Sequence, residues 1–353
     1  MSSVPVFDGH NDVLSHLARP STKAEAVARF RTDPSMHVTA HSAAAGNMRG
    51  GLFAIWVPSA GTTGPPPDVE MSTPPYDLPL AGEVKQGLAL AMANRQLSIA
   101  LALEAAGEIR ICRDSQTLEA TVAGQGPLAA VVHMEGAEPI DEDLEALDVF
   151  HAAGLRSLGP VWSRHNRFGH GVPFRFPSPP DTGPGLTEAG VRLVKRCDAL
   201  RVAIDLSHIT EAGFWDVARH STGPLIATHS NVHKLSPHAR NLTDRQLDAI
   251  AERDGMVGLN FATAFLRKDG AMRPQVPMEQ ILLHLDRLLE RLGENRVGLG
   301  SDFDGAMIPD VIGSAAGLPV LISAMLDHGF GESLVAKIAH GNWLRVLRLT
   351  WGG

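Results

Sequence analysis

Val4-Pro-Val-Phe-Asp-Gly-His-Asn-Asp12 is a short apolar run that ends on two metal-preferring side chains two residues apart. Residues at that spacing on a strand share a face, so His10 and Asp12 are expected to converge on one point. The same arrangement, a strand-like run closed by a His, Glu or Asp, recurs at Glu135, His208, His229 and Asp302.

Working outward, eight β-branched runs are read as strands, at approximately 3–8, 51–57, 129–135, 155–161, 202–207, 224–228, 255–261 and 296–301. Helical stretches fall between most of them, at 82–106, 141–153, 187–200, 243–253 and 278–292. Thr243 followed by Gln246 has the capping-box spacing, and Asp244 suits the start of the helix dipole. Eight βα units predict an α/β fold, a closed (β/α)8 TIM barrel. In such barrels the functional groups sit at the C-terminal strand ends. His10 and Asp12 follow strand one, and Glu135, His208, His229 and Asp302 close strands three, five, six and eight. The Pro- and Gly-rich segments 61–79 and 173–185 read as long loops of the kind used as lids.

With 353 residues, 44% hydrophobic and 20% charged, and no internal repeat or composition shift, one domain over 1–353 is expected. A net charge of −8 without a Lys/Arg cluster argues against a nucleic-acid partner or an anionic membrane surface. Cys112 and Cys197 are far apart and outside any C-x-x-C spacing, which argues against a disulfide framework or a thiolate metal site. No apolar stretch approaches the ~20 residues of a membrane span, and neither end carries a signal core or lipid-anchor tail. A cytoplasmic protein is expected.

Three imidazoles and two carboxylates without thiolates suit zinc, with manganese or cobalt as substitutes. Five ligands exceed what one catalytic zinc takes, so two ions roughly 3.5 Å apart sharing a carboxylate are expected, with Glu135 as the bridge. Two divalent ions against Asp12, Glu135 and a bridging hydroxide leave the centre positive, able to acidify its water and stabilise an oxyanion. Asp302, not needed as a ligand, is the candidate to take the proton and pass it to a leaving group.

Asp8-Gly-His-Asn-Asp12, Glu135-Gly136, Asp205-Leu-Ser-His208, Thr228-His-Ser230, Arg240-Asn241 and Gly300-Ser-Asp-Phe-Asp-Gly305 together resemble the membrane (renal) dipeptidase family, peptidase M19 of the amidohydrolase superfamily. The likeness runs from about residue 5 to the C-terminal region, with the motifs in the family's order. It implies an amidohydrolase-like barrel and a binuclear zinc dipeptidase. His10 and Asp12 would be the paired ligands, Glu135 the bridge, His208 and His229 the second-metal ligands, and Asp302 the strand-eight acid. Arg240 falls on the family arginine that holds the substrate's terminal carboxylate, a task suited to a guanidinium fork. The resemblance further implies small dipeptide substrates, tolerance of a D-residue at the C-terminal position, and a homodimer.

One departure stands out. Alignment through Gly154-Leu-Arg156 places Trp162 where the mammalian enzymes have a histidine that polarises the scissile carbonyl, and an indole donates one hydrogen bond but carries no charge. His165, three residues on, is the candidate substitute. Trp162 keeps a rival open, a binuclear hydrolase of another small amide, lactam or ester; a metal-loaded barrel without turnover is the rival from another class.

Plainer readings stand beside the others. A lone His-x-Asp is weak, and the joint placement on five strands is what raises it. Arg240 has a structural alternative as partner of Asp244. His133 is expected to be a core histidine one layer below Glu135, and Asp8 a hydrogen-bonding support of the site. Asp304 is read as support for its loop, His170 as loop, and the run Asp141 to Glu145 as a solvated helix start.

Overall fold

The computed structural model describes residues 4–19, 22–59, 68–124 and 126–352. Eight parallel strands form the barrel: β1 (Val6–Asn11), β2 (Met48–Trp56), β3 (Leu128–Glu135), β4 (Leu155–Gly159), β5 (Ala203–Ile204), β6 (Ile226–Ala227), β7 (Met256–Asn260) and β8 (Val297–Gly300). Each pairs with the next in chain order, and β1 pairs with β8. Between β5 and β6 the ladder narrows to a single bridge from Asp205 to Ile226, with the Leu206 N–H donating to the Ile226 carbonyl at 2.9 Å. The expected (β/α)8 architecture is therefore present and nearly closed.

The five expected helices are found at Gln86–Ala105, Glu145–Ala153, Glu188–Leu200, Asp244–Glu252 and Met278–Leu292. The capping box of Thr243 and Gln246 is formed. The helix expected from 141 starts later because the Asp141 carboxylate accepts from the N–H groups of Glu145 and Ala146, at 3.1 and 2.7 Å, and so caps it. Sequence periodicity missed the short strand Ile109–Ile111, which adds to the open side of β3, and the helix Ser115–Ala123 after it. Three residues are too few to show a period.

Of the two long loops, residues 61–67 lie outside the described residues. The rest are joined to each other: Tyr76–Asp77 pairs antiparallel with Arg175–Phe176. Tyr76 Oη donates to the Gly270 carbonyl at 2.7 Å, and Met71, Tyr76 and Phe176 pack on Ala262, Phe265 and Met272. Among the described residues, no helix is long and apolar enough to cross a membrane.

The barrel floor was not legible either. Trp343, on the C-terminal helix Asn342–Trp351, is fully buried inside a cluster with Phe7, Leu52, Val131, Ile226 and Met256, and its Nε1–H donates to the Leu299 carbonyl at 2.8 Å. A Cβ on Gly9 would overlap the Trp343 ring, so the glycine in the Asp8-Gly-His10 motif makes room for the plug beneath the site. Trp343→Ala should cost about 3–5 kcal/mol through the cavity it leaves. Urea denaturation at fixed metal concentration checks this, since bound metal itself shifts apparent stability; a loss under about 1 kcal/mol would mean that the floor collapses around the gap.

Candidate metal centre

All six residues read from strand ends meet at one rim of the barrel, brought there by β1, β3, β5, β6 and β8. Glu135, the last residue of β3, is the meeting point. Its Oε1 lies 3.0 Å from His208 Nε2, 3.5 Å from His229 Nε2 and 3.8 Å from His10 Nε2. His208 Nε2 and His229 Nε2 are 3.1 Å apart, and the His10 and His229 rings stack at 3.8 Å. On the other side, His10 Nε2 is 3.4 Å from Asp12 Oδ2, and ligand atoms of His10, Asp12 and Asp302 all fall within 4.8 Å of one another. The same holds for His10, Glu135 and His229.

His10 and Asp12 converge as expected, but not as alternate residues of one regular strand. The β1–β2 register slips between Asp8 and Asn11, which span three residues against two on β2, from Gly51 to Phe53. A bulge of this kind re-aims side chains at a strand end. Asp12 lies beyond it as the N-cap position of the helix Val13–Leu17. Asp302 sits just past β8 with φ +60, which turns its carboxylate into the centre. A Cβ on Gly305 would overlap Asp12 Oδ2, so only glycine lets the strand-eight loop approach this closely.

The donor set fits a cation. Both ring nitrogens of His10 are buried with no hydrogen-bond partner among the described residues. Burial opposes a charge on that imidazole, but the Glu135 and Asp12 carboxylates beside it push its pKa up to about 10. Burial raises Glu135 well above the usual carboxylate range and raises Asp302 as well. Burial holds His208 and His229 well below the usual imidazole value, with the Arg240 and His10 charges adding to it. Buried carboxylates that resist ionising beside imidazoles that resist protonation share one remedy, a positive ion among them.

Groups behind these six fix their orientation, and sequence reading missed most of them. Ser207 Oγ and Thr228 Oγ1 both give their protons to Asp205, at 2.6 and 2.8 Å. Thr228 Oγ1 therefore accepts from His229 Nδ1–H at 2.8 Å, which leaves the Nε2 lone pair facing Glu135. Ser163 Oγ lies 2.8 Å from His208 Nδ1 and so meets the ring nitrogen turned away from Glu135. Asn260 Nδ2 donates to Asp302 Oδ2 at 3.0 Å. Asp205 and Thr228 lay inside recognised motifs, but nothing in a linear sequence pairs residues 23 positions apart.

The residues read as supports are hydrogen-bonded, with two differences from expectation: Asp304 holds a distant loop and not its own, and His133 Nε2 has no hydrogen-bond partner among the described residues. Asp8 accepts from the Ser301 N–H and hydroxyl at 2.7 and 2.8 Å and so ties β1 to β8. Burial raises its pKa to about 6. Asp304 accepts from the N–H groups of His37 and Val38. His133 is fully buried, with Nδ1 2.9 Å from Ser157 Oγ. His170 Nδ1 meets the Gly185 carbonyl at 3.0 Å.

Arg240 is buried beside the centre, and its structural alternative is not what the structure shows: Asp244 pairs with Arg287 instead, at 2.6 Å. Arg240 donates to the Ser207 carbonyl, to Ser230 Oγ at 3.3 Å and to the His229 carbonyl at 3.0 Å. Its Nε–H has no acceptor among the described residues. Burial lowers its pKa to about 10, with Asp302, Asp205 and Glu135 opposing. Trp162 leans on His208 at 5.8 Å between ring centroids and continues into an aromatic wall through Trp56 and Phe174. His165 pairs with His170 at 4.5 Å, and no ring contact to the six is found for it.

Comparison with known proteins places the chain in a family. The family profile for membrane dipeptidases, peptidase family M19, matches residues 1–350. The chain belongs to that family. It is a metallo-dipeptidase. Among solved structures it is similar to a metallo peptidase from Rhodobacter sphaeroides liganded with a phosphinate mimic of the dipeptide L-Ala-D-Ala, at 48% identity and TM-score 0.95, covering 99% of this chain and 100% of that one. It is also 48% identical, over 71% of its length and 92% of the relative, to an uncharacterised protein in the pqqA 5′ region of Klebsiella pneumoniae. An amidohydrolase from Pseudomonas aeruginosa shares the fold at 19% identity and TM-score 0.75, covering 99% and 97% of the two chains.

Thr228→Val removes the acceptor that sets the His229 tautomer while keeping its shape. Metal affinity should fall about 10–100-fold, as it does when such outer partners are lost elsewhere. Competition against a chelator measures it, and an affinity equal to the unaltered protein's would contradict the tautomer argument.

Proposed function

We propose a zinc-dependent dipeptidase with a binuclear centre on a single barrel domain, and the observation that carries it is the convergence of three imidazole nitrogens on Glu135 Oε1. His10 and Asp12 would hold one ion, His208 and His229 the other, and Glu135 both. When bound, the ions supply Lewis-acid polarisation of a carbonyl and a more acidic water.

The rest is work for the chain's own residues. Asp302 is 9% exposed, against 0% for His10 and His229, so it is the member of the six most open to an arriving substrate. Asn260 holds Asp302 Oδ2 and leaves Oδ1 to take a proton and pass it to the leaving amine. A guanidinium has five N–H groups. Three of those on Arg240 have acceptors and Nε–H has none, which leaves it able to receive a substrate carboxylate. Trp162 walls the space beside His208, with His165 further out on the same loop. That the Rhodobacter sphaeroides relative binds a mimic of L-Ala-D-Ala supports a D-residue at the C-terminal position. The indole at 162 also supports a second reading, hydrolysis of another small amide, lactam or ester on the same centre.

Elemental analysis and a panel of L,L- and L,D-dipeptides, N-acyl amino acids and lactones test this directly: two zinc ions per chain and turnover of dipeptides are expected, and preferential turnover of lactones favours the second reading. Asp302→Asn should lower kcat by about 10²–10⁴-fold with metal content kept. An unaffected rate removes Asp302 from proton transfer. Arg240→Ala should raise KM about 10–100-fold for dipeptides with a free carboxylate, the loss of a charged hydrogen bond, and far less for amidated ones; equal effects on both would refute the clamp.

A further inference from the structure

Trp162, Ser163 and Arg164 follow β4 as one short segment, and the first two touch His208. The third turns away from the centre. Arg164 is fully buried and donates from Nε to Glu138 Oε1 at 2.8 Å, from Nη1 to Ser59 Oγ at 2.7 Å, and from Nη2 to the Val57 carbonyl. Its Cζ also lies over the Trp162 indole, 5.1 Å from the ring centroid. Val57 and Ser59 follow β2, and Glu138 lies three residues past Glu135 on β3. One guanidinium therefore ties three βα loops together directly behind Trp162.

Stability alone is a poor account of this arrangement. A buried ion pair is often no more stable than apolar residues of the same volume. What a guanidinium adds is direction, since its planar fork fixes several acceptors at once and its face stacks on an aromatic ring. The loop is also shaped around the pair. Gly136 has φ +85, and a Cβ there would overlap Glu138 Oε2. Trp162 is half-buried, with its ring centroid 5.8 Å from that of His208 and 5.1 Å from Arg164 Cζ, so the indole stands in contact with a residue of the centre and with the buried guanidinium.

We propose that Arg164, anchored by Glu138, is a positioning residue for substrate discrimination: it fixes the plane of Trp162 so that the indole forms a rigid wall against the substrate's side chain. This rests on the reading of the space beside His208 as the dipeptide pocket. A rigid wall limits width, and a displacement of order 1 Å in such a support costs up to about 10²-fold in rate. Arg164→Lys keeps the charge and loses the fork, so the wall loosens without leaving Glu138 unpaired.

The test compares kcat/KM for Gly-Ala and Phe-Ala in the metal-loaded full-length protein. Arg164→Lys should shift the ratio toward Phe-Ala by about tenfold. Trp162→Ala should shift it the same way, and adding Arg164→Lys to Trp162→Ala should change it by less than about twofold, because the arginine acts through the ring. An unchanged ratio in Arg164→Lys, or a full shift that persists without the indole, overturns the proposal. Should Arg164→Lys not fold, Arg164→Met combined with Glu138→Leu removes both charges and carries the same comparison; if neither variant folds, the pair serves stability and the proposal is wrong. Absence of turnover of either dipeptide by the unaltered protein is a separate result, read before any variant, and it strikes the proposed function.

Discussion

A carboxylate oxygen within 3.8 Å of three imidazole nitrogens is the constraint on which the rest of this structure turns. Glu135 is buried, as are its partners, and a charge removed from water is tolerated only where opposite charge and hydrogen bonds replace the solvent. A cation between these groups meets that need. The barrel meets the geometric half of it, since parallel strands deliver their last residues to one rim.

The second requirement is orientation. Imidazoles bind a metal through one defined nitrogen, and the proton on the other nitrogen decides which. Asp205 sets this by taking the protons of Ser207 and Thr228, so that Thr228 must accept from His229. Ser163 stands in the same place for His208 and belongs to the segment that also supplies Trp162 and Arg164. On the proposed function, metal orientation and the substrate wall would be built on one stretch of loop. Below them, Trp343 fills the barrel floor and gives the strands a packed core to stand on.

How far sequence reading reached depends on the range of the interaction concerned. The eight strands were found within a few residues because each carries a short local run with apolar residues, and the helix at 243 because its cap lies within three residues. The shortest strands, β5 and β6, were drawn too long, since the apolar runs around them continue into loop backbone. The slip in β1 was not visible, because a bulge is a property of two strands and not of one. Asp12 reaches the centre all the same, from a helix start and not from a strand.

The sequence by itself determined the fold class and singled out six candidate residues at or just past strand ends, because strand period and residue chemistry are local properties that survive reading along a line. Only the tertiary structure decided that Thr228 and Asp205 stand behind His229, that Arg240 turns to the centre while Asp244 pairs with Arg287, and that Arg164 packs on Trp162. Each of those contacts joins segments far apart in the chain, and their geometry is set by packing across the barrel, which no linear pattern encodes.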